Sequence, residues 1–596
     1  MIQGTMSNSG KSFLAAALCR IFHQDGYRTA PFKSQNMALN SYITDDGLEI
    51  GRAQAMQAEA AGILPAAEMN PILLKPTSHM GSQVVIMGEV FGNMKAMDYY
   101  RRKPELIPVI KDAFARLEEQ YEVIVLEGAG SPAEINLREN DIVNMGMAEM
   151  ADAPVGDIDR GGVFASLYGT VKLLSPQEQK RIRGLIINKF RGDVEILRPG
   201  LDMIEEKVGI PVVGVIPMEQ IDLDDEDSLS ERLDAGKRRG YQTEAGDEQP
   251  YLDLAVIHLP HISNFTDFNP LEQGSGARLR YVSCVSQLGQ PDLLILPGTK
   301  NTMADLAWMR ENGLEEEVIR LVEEKKIPLI GICGGYQMLG EGLQDPEGAE
   351  GVPGSSMKGM GLLHAETIFA SRKTRTRITG RIQAGSGIFS AGQGSLISGY
   401  EIHMGITRAI SSEEEHAKTA VFLEDGRRDG LCREDGLVFG TYLHGLFDNE
   451  EWTGKLLSDL AEKKGILWSS PEESRRAYKE RQYDRLAQLV RENLDMKKIY
   501  EIMGMDAKNT DETKQAAGEL TVQMQWIRPE EIEARSMEII ESEMPQGSWS
   551  PGELAVVKRC IHTSADFDYA ENLYFSDHAV EKALEIFRKG GFTIVT

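Results

Sequence analysis

The sequence of 596 residues contains few cysteines, and they form no recognisable pattern. The five cysteines are Cys19, Cys284, Cys333, Cys432 and Cys560. Their number is odd, they are widely spaced, and no two form a CxxC pair, which argues against a disulfide scaffold or a zinc site. We therefore expect an enzyme with reduced thiols in the cytoplasm.

Positive charge and long apolar runs are also scarce. The chain has 64 basic and 92 acidic residues, a formal net charge of −28. Nucleic acid or an anionic membrane would be repelled over most of such a surface, so an anionic substrate would need a local basic or amide-lined site. No apolar run approaches the ~20 residues of a membrane span. The start, MIQGTMSNSGKS, shows no basic-then-apolar leader, so we expect neither a membrane partner nor a targeting segment.

Two stretches alternate short apolar strands with amphipathic helices. Strand-like runs such as YEVIVLEGAG and IPLIGICGG end in loops, as buried parallel strands do. The pattern predicts α/β folding, with a doubly wound first domain whose ligands lie beyond the carboxyl ends of the strands. A charged segment separates the two stretches, and a polar tether precedes the last ~75 residues. We divide the chain into residues 1–225, a linker 226–250, residues 251–490, a helix end and tether 491–520, and a tail 521–596.

A glycine-rich loop from Gly4 to Ser12 lies between a short predicted strand and a helix. Gly4 and Gly10 would allow backbone N–H groups to point at phosphates, with Lys11 as counter-charge and Ser12 on Mg²⁺. The spacing is one residue longer than the common G-x4-G-K-[ST] loop, and a plain glycine-rich turn is the alternative. Lys33 and Glu127 each follow a strand on the same rim, where they could contact phosphate and hold a metal; alternatively, each is an ordinary surface charge.

The segment Gly331-Ile332-Cys333-Gly334-Gly335 predicts a nucleophile elbow between a strand and a helix. The helix N-terminus favours the thiolate, and the N–H of Gly334 can donate to an oxyanion. The alternative is a structural cysteine at a tight turn. His444, in GTYLHGLF, is the preferred general base, and His403, in GYEIHMG, is its competitor.

Taken together, the motifs resemble those of one family. GTMSNSGKS, PFKSQNMALNS, LEGAGSPAEINL, DIDRGGVFA, PGTKNT, GICGGYQMLG and YLHGLFDN, in this order over roughly residues 1–490, resemble the cobyric acid synthase family. The resemblance implies a dethiobiotin-synthetase-like, ATP-dependent amidoligase domain at 1–225. It further implies a class I glutamine amidotransferase domain at 251–490. Its expected substrates are L-glutamine, ATP and a corrinoid, adenosylcobyrinic acid a,c-diamide, whose four peripheral carboxylates b, d, e and g are amidated.

The resemblance assigns roles to the candidate residues. Cys333 and His444 would release ammonia from glutamine, with backbone N–H groups at Gly334 and around Gly298 holding the oxyanion. ATP would bind the Gly4–Ser12 loop, with Mg²⁺ held by Ser12 and Glu127. Three alternatives stay open: another corrinoid amidoligase such as the a,c-diamide synthase, a partitioning-type P-loop ATPase, and an inactive scaffold.

Three features depart from the family pattern. Family members have a few more apolar residues between DAPV and DIDRGG, whereas Val155 here is followed directly by Gly156 and Asp157. We therefore expect that a strand has lost about three residues, which corresponds to ~10 Å of extended chain. The first strand has only three residues before Gly4. A glutamate often lies two residues after the amidotransferase histidine, where this chain has Leu446, so the sequence predicts a Cys–His pair without an assigned third member.

The tail resembles the N-terminal part of precorrin-8X methylmutase through IRPEEIEARSMEIIESEM and VVKRCIHTSADFDYA. The resemblance makes His562 the candidate catalytic residue, because an imidazole can protonate the corrin ring during methyl migration. A structural histidine is the alternative. We expect a truncated α/β tail, either a fused remnant or half of a split enzyme that a separate polypeptide completes.

This expectation predicts that the chain alone does not isomerise precorrin-8X, since most of the methylmutase pocket would be missing. Incubating the purified chain with precorrin-8X and recording the spectrum of hydrogenobyrinic acid measures this directly. Turnover without an added partner would contradict the prediction, and activity that appears only with the missing half would support a split enzyme.

Overall fold

The computed structural model describes most of the chain up to residue 505 and a small part of the tail. The described residues are 1–78, 81–136, 138–160, 164–224, 250–273, 276–384, 386–410, 417–505, 537, 540, 549–564, 580 and 582. The chain divides into two compact units, residues 1–509 and 510–596. No helix within the described ranges is long and apolar enough to cross a membrane. The predicted linker before Pro250 and the tether beyond residue 505 lie outside these ranges.

The first half of the larger unit, residues 1–224, alternates strands and helices. Its strands are β1 Ile2–Gly4, β2 Thr29–Phe32, β3 Gln35–Met37, β4 Ser41–Ile43, β5 Glu49–Gly51, β6 Ile72–Ser78, β7 Gly81–Ile86, β8 Glu89–Lys95, β9 Val123–Leu126, β10 Val155–Arg160, β11 Ile182–Phe190 and β12 Val212–Pro217. Its helices are α1 Lys11–Gln24, α2 Arg52–Ala60, α3 Ala96–Glu118, α4 Met145–Met150, α5 Phe164–Leu173, α6 Pro176–Gln179 and α7 Val194–Val208.

The central sheet of this half is parallel. β1, β10, β11 and β12 pair in that order, β2 pairs with β9, and a parallel bridge between Ile2 and Glu127 joins the two groups. The strand order is therefore β2-β9-β1-β10-β11-β12. The carboxyl ends of β1, β2 and β9 lie at one edge, which is where a doubly wound sheet binds its ligands. A second sheet, β3-β6-β7-β8, carries two antiparallel hairpin pairings.

Strand β10 forms even though its apolar run is short. It lies between β1 and β11, with an irregularity in register between Val155 and Gly156. Polar residues occupy several positions of this strand, and Asp157 is paired in register with Gln3 on one side and Leu185 on the other. Asp157 is fully buried, and neither carboxylate oxygen has a hydrogen-bond partner of good geometry among the described residues, with the backbone N–H of Ile158 only a weak neighbour. Burial, and secondarily the charge of Asp159, raise the pKa of Asp157 to about 7.

This buried carboxylate predicts a stability that falls as pH rises. The pKa of Asp157 is about 7 in the fold against a usual 3.8, so the folded state is penalised progressively from about pH 4 upwards and fully above pH 7. We expect Asp157→Asn to raise the free energy of unfolding by up to about 4 kcal/mol at pH 8 and by little at pH 4. Denaturant unfolding of the wild type and of Asp157→Asn at pH 8 and pH 4 measures this change. An equal change in the free energy of unfolding at the two pH values would contradict the prediction.

The second half of the larger unit is built on one large mixed sheet. Its strands are β13 Leu252–Ile257, β14 Ala277–Val282, β15 Leu293–Leu296, β16 Leu329–Ile332, β17 Gly342–Asp345, β18 Ser355–Lys358, β19 Ala365–Ile382, β20 Leu396–Ala409, β21 Ala417–Leu423, β22 Arg428–Arg433, β23 Val438–Thr441 and β24 Leu443–His444. The helices after residue 250 are α8 Val285–Leu288, α9 Thr302–Glu311, α10 Leu314–Glu323, α11 Gly334–Met338, α12 Glu450–Lys464, α13 Arg475–Asn493, α14 Met496–Met503 and α15 Pro551–Ser564.

The parallel part of this sheet runs in the order β14-β13-β15-β16-β23 and continues into antiparallel strands. β16 is central and almost wholly apolar, and every residue of it is buried. Its carboxyl end therefore opens at the middle of the sheet edge, beside the end of β23. This position is where an α/β sheet presents a functional loop.

Helix α13 follows the second half in sequence but packs against the first. Tyr483, Leu486 and Val490 share a hydrophobic core with Leu14 and Leu18 of α1. The chain after residue 475 thus returns to the first half and links the two halves covalently and by packing. The domain boundaries inferred from the sequence stay predictions.

Candidate active sites

Cys333 lies in the sharp turn between β16 and α11. Its φ is +52°, a left-handed conformation that is costly for a non-glycine residue. The Cys333 N–H donates to the carbonyl of Thr441 at 2.8 Å, which fixes the turn against the end of β23. Gly335 has no room for a side chain, because a Cβ there would meet the carbonyl of Leu296. The strained, anchored turn has the geometry of a nucleophile elbow.

A pocket at this turn brings together the predicted catalytic residues. Cys333, His403 and His444 all line it. His444 is buried at the end of β24, and its Nδ1 lies 2.7 Å from Oδ2 of Asp267. The other carboxylate oxygen of Asp267 accepts a hydrogen bond from the Gly445 N–H at 3.2 Å. The arrangement is a cysteine, a histidine and an orienting carboxylate, the groups that activate a thiol nucleophile.

Asp267 changes the protonation of His444. Burial alone would lower the pKa of the imidazole, but the charge and hydrogen bond of Asp267, with a smaller contribution from Cys333, raise it to about 10. The ring also stacks on Tyr400, with centroids 5.3 Å apart. In cysteine–histidine sites where the proton has moved from sulfur to histidine, a charged imidazolium of this kind lies beside a thiolate.

His403 lies in a different environment. Its ring stacks on Tyr442 with centroids 3.7 Å apart, and Nδ1 is 2.9 Å from the carbonyl of Gly405. Burial lowers the pKa of His403 to about 4, so this ring is neutral at physiological pH. Among the described residues no carboxylate orients it. Both histidines face the pocket, but the carboxylate-bound one is better suited to act as base.

The two glycines predicted to form the oxyanion hole lie beside these side chains. A Cβ on Gly298 would come 3.0 Å from Cε1 of His444, and a Cβ on Gly334 would come 3.0 Å from the backbone nitrogen of Thr299. Gly334 is the first residue of α11, so its N–H is one of the donors that a helix leaves unpaired. The neighbourhood of Cys333 thus offers backbone donors, while their role in catalysis stays a prediction.

Asp267 was missed because the sequence gives no spacing signal for it. It lies in the 3₁₀ helix Phe265–Glu272, 177 residues before His444. The expected acidic position two residues after the histidine holds Leu446, which is fully buried in the core. The third group therefore comes from a segment after β13 that folds back onto the end of β24.

Replacing Asp267 by asparagine tests its role. Asparagine preserves the shape but removes the charge that holds the proton on His444, so we expect glutaminase turnover to fall on the order of 10²-fold or more. The matched control is Glu341→Gln, which alters the carboxylate partner of His364, a histidine outside the pocket. Steady-state ammonia release measures both, and equal rates for the two variants would contradict the role of Asp267.

The glycine-rich loop of the first half also has the predicted surroundings. Lys11 donates to the carbonyls of Met6 at 2.9 Å and Gly130 at 3.1 Å. Ser12 Oγ and Lys33 Nζ each donate to Oε1 of Glu127 at 2.8 Å. The structure therefore gathers the predicted loop, lysine and carboxylate from the ends of β1, β2 and β9 at one edge.

Several polar atoms in this loop are available to a ligand. Thr5 Oγ1 and Ser9 Oγ are buried and have no hydrogen-bond partner among the described residues. Gly10 has a φ of +94°, and a side chain there would meet the amide of Asn188. Gln57 lies on α2 rather than in the loop, and no sequence motif indicated it; its side chain donates to Oε2 of Glu127 at 2.5 Å. The hydroxyls of Thr5 and Ser9, and the lack of space for a side chain at Gly10, are consistent with a loop that binds phosphates.

Comparison with known proteins gives three successive matches along the chain. Residues 1–229 match the CobQ/CobB/MinD/ParA nucleotide binding domain, and residues 253–452 match the CobB/CobQ-like glutamine amidotransferase domain. Residues 531–596 match precorrin-8X methylmutase. The cobyric acid synthase of Ruminiclostridium cellulolyticum is 54% identical over 85% of this chain and 98% of its own length.

The chain belongs to the cobyric acid synthase family. The family's enzymes from Lachnoclostridium phytofermentans and Klebsiella pneumoniae are each 52% identical over 84% of this chain, and over 98% and 97% of their own lengths. These matches confirm the family and the α/β fold class predicted from the motifs. A nucleotide-binding domain and a glutamine amidotransferase domain in one chain fit an ATP- and glutamine-dependent amidoligase.

In the smaller unit, the structure describes helix α15 and a small apolar cluster. Ile540, Val557 and Ile561 form that cluster. Residue 562 lies on α15, but the side chain of His562 is outside the described residues. The match to precorrin-8X methylmutase confirms the resemblance of the tail, and the catalytic role of His562 stays a prediction.

Proposed function

We propose that this chain amidates the b, d, e and g carboxylates of adenosylcobyrinic acid a,c-diamide, with glutamine as nitrogen donor and ATP as the source of activation. One observation carries the proposal. A single compact unit contains both a pocket lined by Cys333 and His444, whose imidazole contacts Asp267, and a glycine-rich loop with Lys11 beside Glu127. A glutaminase and a carboxylate-activating site in one body are what such a reaction requires.

In the glutaminase half, Cys333 Sγ attacks the side-chain amide carbon of glutamine. The carbonyl oxygen becomes an oxyanion, which the N–H groups of Gly334 and Gly298 would stabilise. His444 carries the proton that the leaving ammonia needs, because Asp267 keeps the imidazole charged. Water then cleaves the thioester, with His444 as base, and releases glutamate and the free thiol.

In the ligase half, a corrinoid carboxylate attacks the γ-phosphorus of ATP, and ADP leaves. Activation is needed because a carboxylate is a poor electrophile at neutral pH. Lys11 and Lys33 would neutralise charge on the transferring phosphoryl group. Ammonia then attacks the acyl phosphate carbon and displaces inorganic phosphate, which leaves the amide.

The residues at the phosphate loop fit a magnesium ion. Mg²⁺ prefers oxygen ligands and is usually held by one or two carboxylates together with substrate phosphates. Ser12 Oγ and Oε1 of Glu127, both oxygen donors, lie 2.8 Å apart at the loop. Ser12 and Glu127 would hold the ion, which when bound would neutralise phosphate charge.

The test is mass spectrometry of corrinoids incubated with the full chain, ATP, Mg²⁺ and glutamine. We expect adenosylcobyrinic acid a,c-diamide to pass through four successive acid-to-amide conversions. Offering cobyrinic acid in parallel separates the a,c-diamide synthase alternative, which would amidate only the a and c positions. Failure to amidate either corrinoid would contradict the proposal and favour an inactive scaffold.

A further inference from the structure

The pocket around Cys333 contains more charge than the amide chemistry needs. Three lysines and one glutamate line it, namely Lys75, Lys300, Lys373 and Glu350. The reacting amide of glutamine is neutral, and the mechanism above uses none of these four side chains. The side chains of Lys75 and Lys373 are buried, and Lys300 and Glu350 are half-buried. Charges withdrawn from water are costly unless they are paired, so a cluster of this kind indicates a charged ligand.

Both halves of the larger unit contribute to this cluster. Lys75 is on β6 of the ligase half, whereas Lys373 is on β19 of the amidotransferase half. Glu49, on β5 and fully buried, accepts from Lys75 Nζ at 2.8 Å and from Lys373 Nζ at 2.7 Å. One carboxylate of the ligase half therefore joins the two halves at the wall of the glutaminase pocket.

Positive charge exceeds negative charge at this wall. Glu49 is shared by two lysines, and Lys300 has no ion-pair partner within 4 Å among the described residues. The Lys300 ammonium makes one long contact, 3.4 Å to Oε1 of Gln83, a residue that also accepts from Lys373 at 3.2 Å. Burial lowers the pKa of Lys373 to about 7, with Lys75 and Lys300 adding to the effect against the attraction of Glu49. Glu49 offsets only part of this positive charge, and an anion that entered the pocket would offset more of it.

Glu350 supplies a charge of the opposite sign. Its Oε2 accepts a hydrogen bond from the Met303 N–H at 3.4 Å, and no lysine or arginine within the described ranges forms an ion pair with it. Burial raises its pKa to about 7, although Lys300 acts in the opposite direction. A cation entering the pocket would find this carboxylate unpaired.

We infer that this cluster recognises the amino-acid end of glutamine, with Lys300, Lys75 and Lys373 binding the α-carboxylate and Glu350 binding the α-ammonium. The inference rests on the proposed function, since it requires that glutamine reacts at Cys333. Because Lys75 and Glu49 belong to the ligase half, the glutamine site is complete only when the two halves are docked. Glutamine binding and the packing of the ligase half are then coupled through Glu49.

Substrate analogues that lack one charge test the assignment on the full chain. Glutaramate lacks the α-ammonium, and 4-aminobutanamide lacks the α-carboxylate. A charge-assisted contact contributes about 1.5–3 kcal/mol, so we expect Lys300→Met to raise the KM for L-glutamine about 10- to 100-fold with a small change in kcat. The same variant should leave the KM for 4-aminobutanamide nearly unchanged. Glu350→Gln should raise the KM for L-glutamine but not for glutaramate.

The contribution of the ligase half is tested at Lys75. Lys75→Met should raise the KM for L-glutamine. Lys75→Arg keeps the charge, so its KM should stay close to that of the wild type. Should Lys75→Met unfold because Glu49 loses a partner, the double variant Glu49→Gln/Lys75→Met removes both charges and gives the same readout. Lys455→Ala, at an exposed lysine outside the pocket, is the matched control.

Different results overturn the proposed function and this inference. An unmodified chain without glutaminase activity would contradict the proposed function itself. An active chain whose Lys300, Glu350 and Lys75 variants fold normally and keep the wild-type KM for L-glutamine would contradict this inference alone. A KM that rises equally for glutamine and for the analogue lacking the matching charge would also contradict it.

Discussion

Replacing Cys333 by serine is expected to abolish glutamine-dependent amidation while ammonia still supports it. The substitution removes the nucleophile at the end of β16 and leaves the phosphate loop in the other half intact. We expect glutamine hydrolysis to fall at least about 10³-fold, because loss of a nucleophile removes the covalent route altogether. Assays of ammonia release and of corrinoid amidation, with glutamine or an ammonium salt as nitrogen source, measure the two activities separately.

The histidines provide the internal control for this experiment. His444 is bound to Asp267, so His444→Ala should reduce glutaminase turnover strongly, whereas His403→Ala should reduce it far less. Equal losses in both variants would contradict the choice of His444 as the base. A Cys333→Ser protein that hydrolyses glutamine at the wild-type rate would contradict the assignment of the nucleophile.

Replacing Lys11 by alanine should have the complementary effect. Amidation should be lost with either nitrogen source, on the order of 10²-fold or more, because a charge that contacts the phosphates is removed. Basal glutaminase activity should persist, since Cys333 lies in the other half. Lys11→Arg keeps the charge and serves as the matched variant.

A fold check belongs with the Lys11 experiment. The buried Lys11 ammonium donates to the carbonyls of Met6 and Gly130, which lose a donor in the alanine variant. Thermal unfolding of the variant distinguishes a lost phosphate contact from a disrupted loop. Unchanged ligation in a folded Lys11→Ala protein would mean that the glycine-rich segment is only a turn.

Short sequence motifs predicted the turn that contains Cys333 and the grouping of residues at the ends of the parallel strands. A strand followed by a glycine-flanked cysteine allows few conformations, and Cys333 indeed adopts a positive φ at the end of a buried central strand. Parallel strands end at a common edge, so residues that directly follow β1, β2 and β9 had to lie together. The ion pair between Lys33 and Glu127 follows from that topology.

Contacts between distant segments could not be predicted in the same way. Asp267 reaches His444 only because a 3₁₀ helix folds across the sheet edge, and no spacing rule records this. The contacts of Glu49 with Lys75 and Lys373 depend on how two halves dock. The short apolar run that ends at Val155 was visible in the sequence, but only the register of β10 showed that this strand buries the Asp157 carboxylate.

In the proposed reaction, nitrogen from glutamine reaches the corrinoid within one chain. The most direct measurement uses glutamine labelled with ¹⁵N at its side-chain amide, together with adenosylcobyrinic acid a,c-diamide, ATP and Mg²⁺, in a buffer without added ammonium. We expect a corrinoid product whose four new amides all carry ¹⁵N. A corrinoid with unchanged carboxylates, or with amides that carry only unlabelled nitrogen, would contradict it.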